Sequence, residues 1–223
     1  MKDRKLLNRE LGRISAEQYR TVRPSSGIVL VLDNVRSAHN VGSAFRTSDA
    51  FGVDKVYLCG ICPVPPSAEL RKVALGAEEV VPSEHVDDAV DLVHRLQSAG
   101  YTVIAVEQTV NSVKLDELWS GHSPLGNSVP LRSTPAPPIV SSVPSGLVSN
   151  GPLPLPLCGG AQVPRGECPD RYALVFGNEV EGVQQAVVDE CDFSLEIPQK
   201  GTKHSLNVSV SIGVVLWALA RGR

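Results

Sequence analysis

The chain has 223 residues, is 42% hydrophobic and has a formal net charge of −3, which is typical of a globular protein with a full core. No apolar run reaches the roughly 18 residues that a membrane span requires. The charged N-terminus also lacks the apolar stretch of a secretory signal. The composition therefore indicates a cytoplasmic protein with no membrane partner.

In chain order, the pattern of apolar residues predicts an alternation of strands and helices. We predict a strand at 27–35, a helix at 40–51, a strand at 55–59, a helix at 67–75, a short strand at 78–82, a helix at 84–98, strands at 101–108 and 171–177, a helix at 183–190, a strand at 193–198 and a final helix containing GVVLWALA. This alternation is typical of an α/β fold with a mostly parallel sheet. The continuously apolar strands indicate helices on both faces.

Charge is unevenly distributed along the chain. Residues 1–23 have seven basic and three acidic side chains, so this segment has a net charge of +4 and the remainder has −7. A basic N-terminal arm, residues 1–26, can contact the phosphates of a nucleic acid. A solvated amphipathic helix explains the same charges equally well, so both interpretations stay open.

The five cysteines follow no spacing that indicates a disulfide framework. Cys59 and Cys62 form a C-x-x-C motif, but no second pair at the spacing of a zinc site follows them. We therefore predict free thiols and no metal site.

Residues 120–169 interrupt the alternation of strands and helices. They contain eleven of the seventeen prolines, together with many serines and glycines and few charged or aromatic residues. A loop of this length is usually functional or disordered. We predict disorder, because the segment cannot bury enough apolar surface to offset its ordering entropy. Since the sheet needs strands from both sides, residues 27–223 form one domain with an insertion.

Three stretches have polar side chains that a purely structural element does not need. In the first, Arg46 lies mid-helix among small residues, six positions after Asn40, although a surface arginine is the plainer interpretation. In the second, Asn178 and Glu179 follow a buried strand that ends at Gly177. Open α/β sheets bind ligands at such strand ends, and glycine would let the backbone approach a ligand closely. An ordinary strand–helix turn is equally consistent.

The third stretch opens the final helix. Ser205 can cap this helix, and the free N–H groups of a helix N-terminus suit a carboxylate or a phosphate. Ser205, Asn207, Ser209 and Ser211 form a polar row in an otherwise apolar helix. A capped helix with small packing residues explains the row equally well.

Together the three stretches form an ordered set of motifs. N-x-G-x-x-x-R-T at 40–47, FGNEVEG at 176–182 and IPQKGTKHSLNVSVS at 197–211 resemble the three motifs of the SpoU (TrmH-type) RNA 2'-O-ribose methyltransferases of the SPOUT superfamily. The likeness covers residues 27–119 and 170–221. The proline-rich insertion departs from the family pattern and inherits no role from it.

The resemblance implies an α/β fold with a deep C-terminal trefoil knot, which ordinary folding rules would not predict. It also implies a homodimer with catalytic parts across its interface and S-adenosyl-L-methionine as the cofactor, without a metal. Carried over by position, the cofactor-binding residues are Val106, Gly177, Ile197, Ser205 and Leu206. The catalytic residues are Arg46, Asn40, Glu179, Ser205 and Asn207.

The resemblance assigns the role of general base to Arg46. Because arginine is effectively always protonated, this role requires a special environment. Orienting the hydroxyl and binding phosphate is an equally physical role for a planar guanidinium, and both roles stay open.

The implied function is methyl transfer from S-adenosylmethionine to a ribose 2'-hydroxyl of RNA. About 26 residues precede the first strand, too few for a sizeable RNA-binding domain, so we expect transfer RNA, with guanosine favoured. The alternatives are the same chemistry on ribosomal RNA and a non-catalytic RNA-binding relative. A nucleotide-binding protein unrelated to RNA would need a Gly-rich phosphate loop, which the sequence lacks.

Overall fold

The computed structural model describes residues 4–7, 10, 12, 17–18, 25–117, 157–158, 161–162, 171–202 and 205–221. Most of the basic arm and of the insertion lie outside the described residues, so their predicted phosphate contacts and disorder stay predictions. In the part of the chain that is described, no helix is long and apolar enough to cross a bilayer.

Strands and helices alternate through the described residues. They are β1 (Ile28–Asp33), α1 (Ala38–Phe51), β2 (Lys55–Cys59), α2 (Ala68–Ala74), α3 (Ala77–Val80), β3 (Ser83–Val86), α4 (Ala89–Ser98), β4 (Thr102–Val106), β5 (Val113–Lys114), β6 (Leu157–Cys158), β7 (Ala161–Gln162), β8 (Tyr172–Phe176), α5 (Gln185–Glu190), β9 (Phe193–Glu196) and α6 (Val208–Arg221). The strands β6 and β7 pair only with each other, an element inside the insertion that its composition did not predict.

The other seven strands form one parallel sheet in the order β3–β2–β1–β8–β4–β9–β5. In the middle of the sheet, Leu174 of β8 pairs with Leu30 of β1 on one side and with Ile104 of β4 on the other. All these strands therefore end at the same edge. The predicted α/β fold with a mostly parallel sheet is confirmed, whereas the trefoil knot stays a prediction.

Helices cover both faces of this sheet, as predicted. Leu30 and Leu32 of β1 belong to a core cluster with α1 and α6, whereas Val29 and Val31 belong to a second cluster with α4 and α5. Successive strand residues point to opposite faces. Because both faces are buried, β1 has the unbroken apolar sequence that is typical of a central parallel strand.

The helices α1 and α6 lie side by side and run in the same direction. Asn40 near the start of α1 shares a hydrogen bond with Asn207, which directly precedes α6. Towards their other ends, the rings of Phe51 and Trp217 meet edge to face with centroids 6.4 Å apart. Two helix N-termini are therefore neighbours at the edge where the strands end.

Two local predictions are wrong. Residues 78–82 do not form a strand, because α3 ends at Val80 and the strand β3 follows at Ser83–Val86. This edge strand alternates between exposed and half-buried residues, and its polar sequence resembles the first turn of a helix. The predicted helix at 84–98 therefore begins later, after Asp88, whose carboxylate caps α4.

Candidate functional site

A cavity of about 500 Å³ lies beyond the carboxyl ends of β4, β8 and β9. Val106, Phe176 and Leu195 form its floor at these strand ends, and the segment before α6 forms another wall. Open parallel sheets bind ligands at this position. The volume is within the range of about 300–1,000 Å³ that small-molecule sites occupy.

The cavity brings together most of the residues that the three motifs single out. The residues predicted to bind a cofactor all line it: Val106, Gly177, Ile197, Ser205 and Leu206. Three of the predicted catalytic residues line it as well: Glu179, Ser205 and Asn207. Asn40 lies beside the cavity, because its side-chain amide donates to Glu179.

Arg46 lies outside this cavity. Its helix packs into the core through Val41 and Phe45, which are fully buried, whereas the Arg46 side chain is exposed. The structure of this chain therefore does not bring Arg46 together with the cavity-lining residues.

The loop after β8, residues 177–184, is held partly by its own backbone. Asn178 and Gly182 exchange two backbone hydrogen bonds of 3.1 Å each, and the Asn178 side-chain oxygen accepts from two further N–H groups of the turn. A Cβ atom at Gly177 would overlap the backbone of Gly182 and Val183. Glycine here thus permits a close approach of the chain to itself, and the approach to a ligand stays a prediction.

A directed series of amide hydrogen bonds, the amide relay, connects this loop to both helices. Asn40 Nδ2 donates to Glu179 Oε1 at 2.7 Å, and Asn207 Nδ2 donates to Asn40 Oδ1 at 3.2 Å. Asn207 Oδ1 in turn accepts from the backbone N–H of Ser209 at 2.9 Å. A carboxylate only accepts and a backbone N–H only donates. The two ends of the relay therefore determine how both amides are oriented.

The surroundings of Glu179 lower the pKa of its carboxyl and so favour the ionised form. Burial raises its pKa, but hydrogen bonds from the Asn40 side chain and from backbone N–H groups, including those of Arg36 and Ser37, outweigh burial and lower the pKa overall. Ser37 is the N-cap of α1, and a helix N-terminus stabilises negative charge. Ionised Glu179 therefore acts as the fixed acceptor of the amide relay.

The charged side chains of the described cavity wall are all acidic. Among the described residues that line it, Glu107, Glu179, Glu181 and Glu196 are acidic and none is lysine or arginine. Such a wall favours a cationic ligand over an anionic nucleotide. Within the described ranges, no group of three or more His, Cys, Asp or Glu side chains could hold a metal ion.

Two carboxylates at this sheet edge were missed from the sequence. Asp33 ends β1 and accepts from the backbone N–H of Gln184 at 2.9 Å. Glu107 follows β4 and accepts from the backbone N–H of Val183 at 3.0 Å. The signal that could have found them is an acidic residue directly after an apolar run, because parallel strands bring their carboxyl ends together.

The C-x-x-C motif belongs to the core. Cys59 and Cys62 are buried free thiols, and burial raises the pKa of Cys62 to about 12. A thiol protonated at neutral pH is a poor nucleophile and a poor metal ligand. The prediction of free thiols is confirmed for these two cysteines and for Cys191, whereas the side chains of Cys158 and Cys168 lie outside the described residues.

The amide relay predicts the effect of adding a charge to it. Asn40→Asp places a second carboxylate against Glu179, and two carboxylates in contact cannot both ionise without a raised pKa for one of them. A carboxyl with a raised pKa in the folded state regains stability as the pH falls through that pKa. The melting temperature of Asn40→Asp should therefore lie roughly 2–4 °C below that of the wild type at about pH 8 and approach the wild-type value at about pH 5.

The matched control is the double variant Asn40→Asp/Glu179→Gln. It restores a donor opposite an acceptor, so its melting temperature relative to the wild type should depend little on pH. The melting temperatures are measured by circular dichroism. If Asn40→Asp melts below the wild type by the same amount at both pH values, the directed relay is contradicted.

Sequence comparison finds relatives that are named as methyltransferases of ribosomal RNA. It is 32% identical over 203 residues to the 23S rRNA (guanosine-2'-O-)-methyltransferase RlmB of Pasteurella multocida, an alignment that covers 89% of this chain and 62% of the relative. The chain therefore spans about three-fifths of that relative's length.

Solved structures share the fold. The TrmH/SpoU tRNA modifying enzyme of A. aeolicus has a TM-score of 0.64 at 22% identity, over 93% of this chain and 82% of its own. The AdoMet-bound rRNA methyltransferase of Sinorhizobium meliloti has a TM-score of 0.60 at 21% identity, over 91% of this chain and 59% of its own. The profile of the SpoU rRNA Methylase family matches residues 27–126 and 155–217. The chain belongs to this family.

Proposed function

We propose that the chain is an RNA 2'-O-methyltransferase that uses S-adenosylmethionine. The observation that carries this proposal is the meeting of the second and third motif segments in one cavity, with the first motif joined to them through Asn40. A cavity of about 500 Å³ can hold such a ligand. Its acidic wall suits a sulfonium cation, and the neighbour from Sinorhizobium meliloti was solved with AdoMet bound.

Each group in the cavity has a task that the proposed reaction needs. When bound, S-adenosylmethionine supplies a methyl group on a positively charged sulfur. Val106, Ile197 and Leu206 provide apolar wall that excludes water. The amide relay from Glu179 through Asn40 holds Asn207 at the mouth of the cavity, where an oriented amide can position a ribose hydroxyl.

We propose that Arg46 acts on the cavity of a second copy of the chain. Val210, Val214 and Trp217 of α6 are 49%, 37% and 57% exposed and form an apolar row beside α1. An exposed apolar row on a soluble domain is typical of an interaction site, and a two-fold dimer uses one patch on both subunits. In such a dimer, the exposed Arg46 of one protomer approaches its partner's cavity. There it orients the ribose hydroxyl as a guanidinium or, held there as a neutral guanidine, takes up the hydroxyl proton.

For the RNA, we propose ribosomal RNA first and transfer RNA as the alternative. The relatives from Pasteurella multocida and Neisseria meningitidis, at 32% and 30% identity, are both named 23S rRNA (guanosine-2'-O-)-methyltransferase. The A. aeolicus neighbour is named a tRNA modifying enzyme. The expectation of transfer RNA depends on the short segment before β1. Because the chain spans only 62% of its relative's length, the length of that segment is no evidence about the substrate. Guanosine stays the expected nucleotide and the cytoplasm the expected location.

Arg46→Ala should lower kcat by roughly 10²-fold or more, the usual effect of removing a group that acts in the transition state. The affinity for S-adenosylmethionine and the melting temperature should change little, because the side chain is exposed and alanine is the best helix former. Arg46→Lys should rescue poorly, because lysine lacks the planar fork. The measurement is labelled methyl transfer to 23S rRNA fragments and, separately, to unmodified tRNA transcripts.

Lys72→Ala is the matched control, because it removes another exposed cation, from α2. Its rate should equal that of the wild type. If Arg46→Ala transfers methyl groups at the wild-type rate, the catalytic assignment of Arg46 is wrong. Methyl transfer by the wild type to tRNA alone would reverse the order of substrates. RNA binding by the wild type without any methyl transfer would favour the non-catalytic alternative.

The apolar row of α6 predicts a dimer that a charge should disrupt. Trp217→Lys should give a monomer in sedimentation velocity and should abolish methyl transfer, because the charge would be buried in the interface. Val110→Lys, at a fully exposed valine, should stay dimeric. Mixing Arg46→Ala with Asn207→Ala protomers should restore part of the activity if Arg46 acts across the interface. A wild-type monomer with full activity would contradict the dimer.

A further inference from the structure

Carboxylates from both neighbouring strands hold the loop after β8. Asp33 comes from β1 and Glu107 follows β4, and these strands flank β8 on opposite sides. Asp33 Oδ2 accepts from the N–H of Gln184 at 2.9 Å, and Glu107 Oε2 accepts from the N–H of Val183 at 3.0 Å. Two successive backbone N–H groups are thus gripped from two sides, an arrangement that we call the carboxylate clamp.

The remaining oxygens of the clamp are also in use. Asp33 Oδ1 accepts from the Asn34 side chain at 2.8 Å, and Glu107 Oε1 accepts from the N–H of Gln108 at 2.8 Å. No ion pair among the described residues includes either carboxylate. The clamp therefore works through backbone and amide hydrogen bonds, and not through a neighbouring cation.

Asp33 places an acidic side chain in the core. It is fully buried, and burial raises its pKa although the hydrogen bonds from Gln184 and Asn34 act in the opposite direction. A buried carboxylate without a cation costs folding free energy when it is ionised. The hydrogen bonds from Gln184 and Asn34 are therefore what compensates this side chain for its burial.

The clamp acts on the last part of the loop, which follows the hydrogen bonds that Asn178 makes within the loop. Gly182 has a left-handed backbone with φ of 72°, and Gly177 has no space for a side chain. Glycines allow many backbone conformations in a chain that is not otherwise held. The N–H groups on which the carboxylates act follow directly after Gly182.

We propose that Asp33 and Glu107 are positioning residues that keep loop 177–184 in the shape that binds S-adenosylmethionine. Asp33 does not line the cavity, so it acts through Gln184, whereas Glu107 also forms part of the wall. The cofactor in this inference rests on the proposed function. That the two carboxylates hold the loop is inferred from their hydrogen bonds to Gln184 and Val183 alone.

Asp33→Asn is the primary test, and Glu107→Gln is the second variant. Each keeps the size of the side chain but exchanges one of its two accepting oxygens for an NH₂ group, which cannot accept, so the side chain can no longer make both of its hydrogen bonds. Asp192→Asn is the matched control, because Asp192 accepts from the N–H of Val103 at 2.7 Å and lies at the opposite edge of the sheet.

The readouts are hydrogen exchange of individual amides in the full chain and calorimetric titration with S-adenosylmethionine. In Asp33→Asn, we expect the Gln184 amide to exchange about tenfold faster and the Kd to rise about tenfold, equivalent to about 1.4 kcal/mol. Asp192→Asn should change neither quantity. Unchanged exchange at Gln184, or faster exchange with an unchanged Kd, would overturn the proposal.

Two further outcomes are also decisive. If Asp33→Asn does not fold, Glu107→Gln takes its place. Faster exchange of the Val183 amide together with a raised Kd would support the proposal, and unchanged exchange or an unchanged Kd would overturn it. If the wild type does not bind S-adenosylmethionine, the proposed function fails, and exchange alone decides the clamp: faster exchange in the variants supports it and unchanged exchange overturns it.

Discussion

The close contact between Gly177 and the backbone of Gly182 and Val183 is the constraint on which the rest of the site depends. A single Cβ atom at Gly177 would prevent it. Because the chain turns back so tightly after β8, Glu179 reaches the N-terminus of α1 and the N–H groups of Val183 and Gln184 reach the carboxylates that flank them. The cavity wall, the amide relay and the carboxylate clamp all follow from this turn.

Charge divides the site into two regions. The described cavity wall has four glutamates and no basic side chain, whereas Arg46 is exposed outside it. An acidic wall repels phosphate and attracts a sulfonium, and an exposed guanidinium does the opposite. The proposed cofactor and the proposed RNA are therefore separated electrostatically. The relay through Asn40 and Asn207 joins the loop after β8 to the start of α6 on the cavity side.

The fold was largely predictable because its central strands are buried on both faces and have unbroken apolar sequences. The edge strand β3 was not, since half of its side chains are exposed. At the site, the motifs were found by resemblance, and their strand ends meet as a parallel sheet requires. The role of Gly177 as a self-contact, the grip of Asp33 on Gln184 and the position of Arg46 outside the cavity depend on tertiary geometry. The acidic residue at the end of an apolar run marks Asp33 as a candidate, but no local pattern in the sequence encodes which groups these residues contact.

The central claim is that the cavity at the carboxyl edge of the sheet binds S-adenosylmethionine. Isothermal titration of the full chain with this compound, in buffer free of metal and RNA, tests it most directly. We predict saturable binding of about one molecule per chain, lost in Gly177→Ala, whose Cβ would displace the loop, and retained in Gly201→Ala, whose Cβ meets open space. No binding by the wild type, or equal binding by both variants, would contradict the account.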